Sequence, residues 1–90
     1  MIVVDIGNTD IVIGFFINNK IADTYRFPSK SNYSYTKLKK NIIQMMLNFP
    51  NYNFSLCVLS SVVPSLNKSI IKIFKSFNLN VVNIAHLKLI

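Results

Sequence analysis

Acidic residues are scarce in this chain. Only Asp5, Asp10 and Asp23 stand against ten Lys and Arg, glutamate is absent, and the formal net charge is +7. Chemistry that gathers several carboxylates around two metal ions is therefore poorly served. A single cysteine, Cys57, excludes an internal disulfide. Sitting in an apolar run, it reads as a small core residue. No apolar run approaches the roughly 18 residues that span a bilayer. Asp5 and Asn8 interrupt the opening run and no basic segment precedes it, so no secretory leader is expected. A cytosolic location and no membrane partner are the expectation. With only two glycines, Gly7 and Gly14 stand out as positions where a side chain would not fit.

What is abundant is apolar. Hydrophobic residues make up 51% of the 90 positions, ample for one domain with a core and unlike a disordered chain. The basic excess carries less weight. Lys, Asn, Ile, Phe and Tyr are all common and all have AT-rich codons, so a biased genome accounts for it. Lys37, Lys39 and Lys40, and likewise Lys68, Lys72 and Lys75, read as solvated helix faces. The second trio shares one helix side, as a phosphate-backbone contact would require, but nucleic acid is not the expected partner.

Periodicity organises the chain into seven elements. Met1–Ile6 and Asp10–Ile17 read as strands. Asn18-Asn19 tolerates positive φ and predicts a two-residue hairpin turn into a third strand, Lys20–Phe27. Pro28 to Tyr33 is a polar loop. A helix capped by Ser34 or Thr36 follows, with Leu38, Ile42, Met45, Met46 and Phe49 on its apolar stripe and Pro50-Asn51 stopping it. Leu56–Val62 is a continuous apolar strand, expected to be central and covered on both faces. Pro64 suits the first turn of a second helix, whose stripe is Leu66, Ile70, Ile71, Phe74 and Phe77. Asn80–Ala85 is a fifth strand. The order β-β-β-α-β-α-β implies a mixed sheet flanked by helices, the ribonuclease H-like half that actin-like ATPases use twice. The expectation is one such domain over residues 1–90.

The chemistry concentrates at the start. In Asp5-Ile6-Gly7-Asn8-Thr9 an acidic residue ends a buried strand and a glycine permits a sharp turn and close ligand approach. Asn8 and Thr9 add hydrogen-bonding groups, and successive turn N–H groups can cradle an anion. The parts suit a nucleotide phosphate with Mg²⁺. Asp10 is either a turn residue or a ligand. His86, the only histidine, is given no metal or catalytic role.

Two motifs carry a resemblance to a family. Val4-Asp5-Ile6-Gly7-Asn8-Thr9 resembles the opening Asp-x-Gly-Asn-Thr phosphate motif of type III pantothenate kinases. Ser60-Ser61-Val62-Val63-Pro64 matches their Ser-Ser-Val-Val-Pro, and Tyr25-Arg26 sits where they often carry an aromatic-Arg pair. The resemblance implies ATP-dependent phosphorylation of pantothenate, the first step of coenzyme A synthesis, by a homodimer needing a divalent metal and a monovalent cation (K⁺ or NH₄⁺). It implies that Asp5 places Mg²⁺ through water and that the segment Asp5, Ile6, Gly7, Asn8, Thr9, Asp10, Ile11 and Val12 holds the ATP phosphates. Ser60, Ser61 and Arg26 would line the cleft, although Ser60 and Ser61 equally suit a helix cap and Arg26 an exposed strand charge. Such a half is expected to expose apolar surface. The family's Gly-x-Asp-Arg motif, which carries its catalytic base, is expected beyond Ile90, so no residue of this chain is given a catalytic role. The pantothenate and monovalent-cation sites that the resemblance implies are likewise expected beyond Ile90. The chain alone is therefore expected to be inactive. A non-catalytic binding module that kept the fold is the alternative, and a ribonuclease H-type nuclease a weaker one.

Overall fold

The computed structural model describes residues 1–30 and 32–84. It contains β1 (Ile2–Ile6), β2 (Asp10–Ile17), β3 (Lys20–Pro28), α1 (Tyr35–Met46), β4 (Leu56–Ser61), α2 (Pro64–Ser76) and β5 (Asn80–Ile84). The strands form one sheet in the order β3-β2-β1-β4-β5. β1, β2 and β3 pair antiparallel, while β4 and β5 run parallel to β1. This is the mixed α/β sheet the element order implies. The expected fifth strand ran to Ala85 and the expected domain to Ile90. Ala85, His86 and Ile90 all lie outside the described residues, so the domain is described only as far as Ile84.

Local chemistry explains most boundaries. Asn18 and Asn19 both adopt left-handed φ (53° and 63°), the primed turn that matches the twist of paired strands. Ser34 caps α1, its Oγ accepting the Lys37 N–H at 3.1 Å. Pro64 opens α2, where a missing N–H removes no helical bond. Asn78, at φ 64°, ends α2, and Leu79 then donates its N–H to the Phe74 carbonyl at 3.3 Å.

Both helices lie on one face of the sheet and touch each other. β4 and β5 are added in succession beyond β1, and right-handed crossovers advancing in one direction leave their helices on the same side. Ile2, Val4, Ile6, Ile11, Ile13, Phe15, Cys57 and Leu59 point to that side and are buried with Leu38, Ile42, Ile70, Ile73 and Phe74. Phe15 anchors one end, stacking on Phe49 at 4.8 Å between centroids and meeting Tyr25 and Phe54 edge-on. Burial pushes the Cys57 thiol up to about 12.

Three expectations are corrected. β4 is central but covered on one face only: Cys57 and Leu59 are buried, whereas Leu56 and Val58 are half-buried. A continuous apolar run cannot reveal which side its crossovers will leave bare. On α2 the fully buried position is Ile73 rather than Ile71, because Leu66, Ile70, Ile73 and Phe74 form the stripe facing the sheet. Ile71 and Phe77 are half-buried at its margin. On α1 the helix ends at Met46, and Phe49 reaches the core from the following turn.

The uncovered face is largely apolar. By register it carries Val3, Val12, Gly14, Val58, Val82 and Ile84, and Ile21, Val62 and Val82 are 59%, 63% and 47% exposed. Apolar surface of the expected kind is therefore present.

Candidate phosphate-binding site

The carboxyl ends of β1 and β4 lie side by side, a position where open α/β sheets receive ligands. β1 ends at Ile6 and the chain reverses through Gly7, Asn8 and Thr9 into β2. The Gly7 N–H donates to the Asp10 carbonyl at 2.9 Å and closes this turn. Two outside contacts fix its position. The Ser29 N–H donates to the Thr9 carbonyl at 2.8 Å, and the Val62 N–H donates to the Ile6 carbonyl at 2.9 Å. A Cβ on Gly7 would come within 3.2 Å of the Asp10 carbonyl oxygen, a tight contact that the carbonyl relieves only by moving a few tenths of an ångström, so closeness of the two backbone segments, not φ, favours glycine there. A Cβ on Gly14 would sit 3.5 Å from Phe16, an ordinary contact. The expectation that both glycines exclude a side chain is therefore overturned for Gly14, while at Gly7 a side chain would be crowded.

The register sorts the expected site residues into two groups. Arg26, Val12, Asp5, Ser60 and Ile84 stand abreast across the five strands on the uncovered face. Adjacent strands lie about 4.8 Å apart, so Asp5 and Ser60 are direct neighbours. Asp10 lies one row beyond, diagonal to Arg26, and Arg26 NH1 donates to Asp10 Oδ2 at 2.9 Å. Asp5, Val12 and Arg26 also line a shallow depression of about 270 Å³ with Val3, Thr24 and Phe16. Asp5, Asn8 and Thr9 are exposed, and among the described residues the Asn8 and Thr9 N–H groups meet no backbone carbonyl.

The second group turns away. Ile6 and Ile11 are fully buried beneath the helices, so only their backbones border the turn. Ser61 Oγ accepts the Val63 N–H at 3.0 Å. That bond shapes the β4-to-α2 connection but does not cap α2, whose first turn has no side-chain cap. Nor is the Gly7 N–H free for a ligand, since it closes the turn. An anion would meet the Asn8 and Thr9 N–H groups and side chains. Ser29 is the residue the sequence reading missed. Its only signal is position, one step past Pro28, which pairs with Asp10 at the end of β3.

Few side chains near the turn could hold a metal. No group of three or more His, Cys, Asp or Glu occurs among the described residues. Asp5 offers one exposed carboxylate, while that of Asp10 is held by Arg26. Mg²⁺ is commonly bound by one or two carboxylates, with substrate phosphates and water completing its octahedron. A nuclease-type pair of metals would need more. On the covered side of β3, beside Arg26 in sequence, the Tyr25 hydroxyl titrates above its ordinary value, chiefly because it is desolvated and secondarily through Asp23. It accepts a hydrogen bond from Asn48 at 2.6 Å, which ties β3 to the end of α1.

A five-strand mixed sheet of this order, with two helices on one face and an Asp-Gly turn at the carboxyl end of its central strand, is the architecture of an actin-like ATPase half. Comparison with known proteins narrows it. The family described as type III pantothenate kinase matches residues 1–89. The chain is 38% identical over 76 residues to a type III pantothenate kinase of Ehrlichia ruminantium, covering 81% of this chain and 29% of that protein. It is 39% identical over 75 residues to one of Mycoplasma mobile (83% and 29%), and 35% over 71 residues to one of Bifidobacterium adolescentis (77% and 28%). This chain belongs to the type III pantothenate kinase family. It spans 28–29% of the length of these relatives. Among the described residues, no helix is long and apolar enough to cross a membrane.

Proposed function

We propose that this chain is the ATP-phosphate-binding part of a type III pantothenate kinase acting in the cytosol. The observation that carries the reading is the Gly7–Thr9 turn. It is anchored on both sides, has two N–H groups without a backbone partner among the described residues, and has the Asp5 carboxylate beside it. Phosphoryl transfer depends chiefly on positioning and charge neutralisation, and a rigid turn at the end of a central strand provides positioning. Asn8 and Thr9 bind phosphate oxygens, while Asp5 and Ser60 face the same space from adjacent strands. Bound Mg²⁺, held by Asp5 through water, would neutralise phosphate charge. Pantothenate as acceptor, the monovalent cation and a second subunit enter the proposal through family membership alone. No residue from Met1 to Ile90 is given the role of general base in this proposal, in which the 90 residues contribute phosphate binding and not the transfer itself.

Calorimetric titration of the purified chain with Mg·ATP tests the first part. Binding is expected in the wild type and should be lost in Asp5→Asn; absence of binding in the wild type would refute the reading. A coupled assay with pantothenate tests the second part and should give no turnover. Measurable phosphorylation would refute the inactivity of the chain alone.

A further inference from the structure

The phosphate turn carries an electrostatic problem that its geometry answers. Asp5 precedes the turn, Asp10 closes it, and both carboxylates lie on the uncovered face where an anion would approach. Two negative charges beside a triphosphate would oppose its binding unless one is offset. Mg²⁺ accounts for Asp5 in the reading above but leaves Asp10. The only ion pair among the described side chains falls at that residue, between Arg26 NH1 and Asp10 Oδ2 at 2.9 Å. It forms because Val12 pairs with Arg26, which puts Asp10 and Arg26 on a cross-strand diagonal that a long side chain can span.

The pair is not explained by stability. The two side chains are 65% and 34% exposed, and exposed ion pairs contribute little to folding. Its position is what matters: the residue whose carbonyl closes the turn has its carboxylate drawn toward β3. We propose that Arg26 is a positioning residue for the phosphate site, neutralising Asp10 and holding its carboxylate away from the bound nucleotide. The inference rests on the turn being a phosphate site, and it makes Asp10 tolerable there without making it a ligand.

A double-mutant cycle read by Mg·ATP affinity tests this. Removing the compensating charge at this range should weaken binding about 3- to 10-fold in Arg26→Gln. The loss should shrink as ionic strength rises. Arg26→Lys keeps the charge and should bind within about 2-fold of wild type, by the same Coulomb argument. The decisive variant is Arg26→Gln with Asp10→Asn, which removes both charges and should recover the loss. Melting temperatures of all variants should stay close to wild type, as expected of an exposed pair. Unchanged affinity in Arg26→Gln would overturn the inference while leaving the phosphate site standing. So would a loss that the double variant fails to recover, because Arg26 would then contact the phosphate directly. No binding by wild type or any variant would overturn the phosphate site, and this inference with it.

Discussion

The two faces of the sheet are built from the same strands, residue by residue, yet follow different rules. On β1, Ile2, Val4 and Ile6 are fully buried, while the alternating Val3 is half-buried and Asp5 exposed. On β2, Ile11, Ile13 and Phe15 are fully buried, and Asp10, Val12 and Phe16 are not. Among the described residues, the covered face contains no buried polar or charged residue. The uncovered face holds Asp5, Asp10, Thr24, Arg26 and Ser60 among its valines. Burial therefore constrains one face to shape and apolarity, and leaves the other free to carry charge. A strand with period 2 lets one sequence serve both demands.

The largest test of this contrast is on the covered face. Phe15→Ala removes the ring at the centre of the aromatic cluster and should cost about 3–5 kcal/mol, read as a shift of the urea midpoint or outright unfolding. The pH response of Cys57 comes next. Its thiol is raised from 9.0 to about 12 by burial, so the folded state retains a proton that the unfolded chain releases. The stability this contributes is fully present below pH 9.0 and is lost as pH rises toward about 12. The folded thiol should resist a disulfide reagent at pH 8 and react once denaturant is added. At the turn, Gly7→Ala should be destabilising in a urea melt, since the crowded Asp10 carbonyl is held by the Gly7 N–H and has little room to move aside. Gly14→Ala meets only an ordinary contact and should cost less than Gly7→Ala. Ser34→Ala, losing the α1 cap, should cost about 1 kcal/mol by thermal melting. The smallest effect belongs to the uncovered face: Val82→Ser should change stability by less than about 0.5 kcal/mol. It should still reduce self-association in analytical ultracentrifugation, since it breaks an exposed apolar patch. A Val82→Ser cost as large as Phe15→Ala would break the contrast between the faces.

What could be read from the sequence follows the same division. Asn18-Asn19, Ser34 and Pro64 act through their own backbone chemistry, and each stands where its local signal implies. The Asp5–Thr9 segment was legible as the turn from β1 into β2, because Gly7 and Asn8 break the apolar run between two strands. Which face of β4 is bare, and whether Ile71 or Ile73 is buried, depends on the side taken by the crossovers, which no local pattern encodes. The same holds for the Gly7 N–H and the Ser61 hydroxyl. Both looked available and are committed to bonds that exist only once the turn and the β4–α2 connection have formed. The Asp10–Arg26 pair is hidden for a similar reason, since sixteen positions separate residues that register alone makes neighbours.

The parallel pairing of β1 with β4 also sets an order of events during synthesis. β1, β2 and β3 are joined by tight turns and can pair as soon as they emerge, whereas β4 arrives only after α1 has been made. Closing that long segment is entropically slower than closing a hairpin. Until then one side of β1, including the Ile6 carbonyl that later receives the Val62 N–H, is a bare strand edge. The nascent meander therefore presents the apolar β1 as a bare edge to other chains, and speed of docking of α1 and β4 protects it from misassembly.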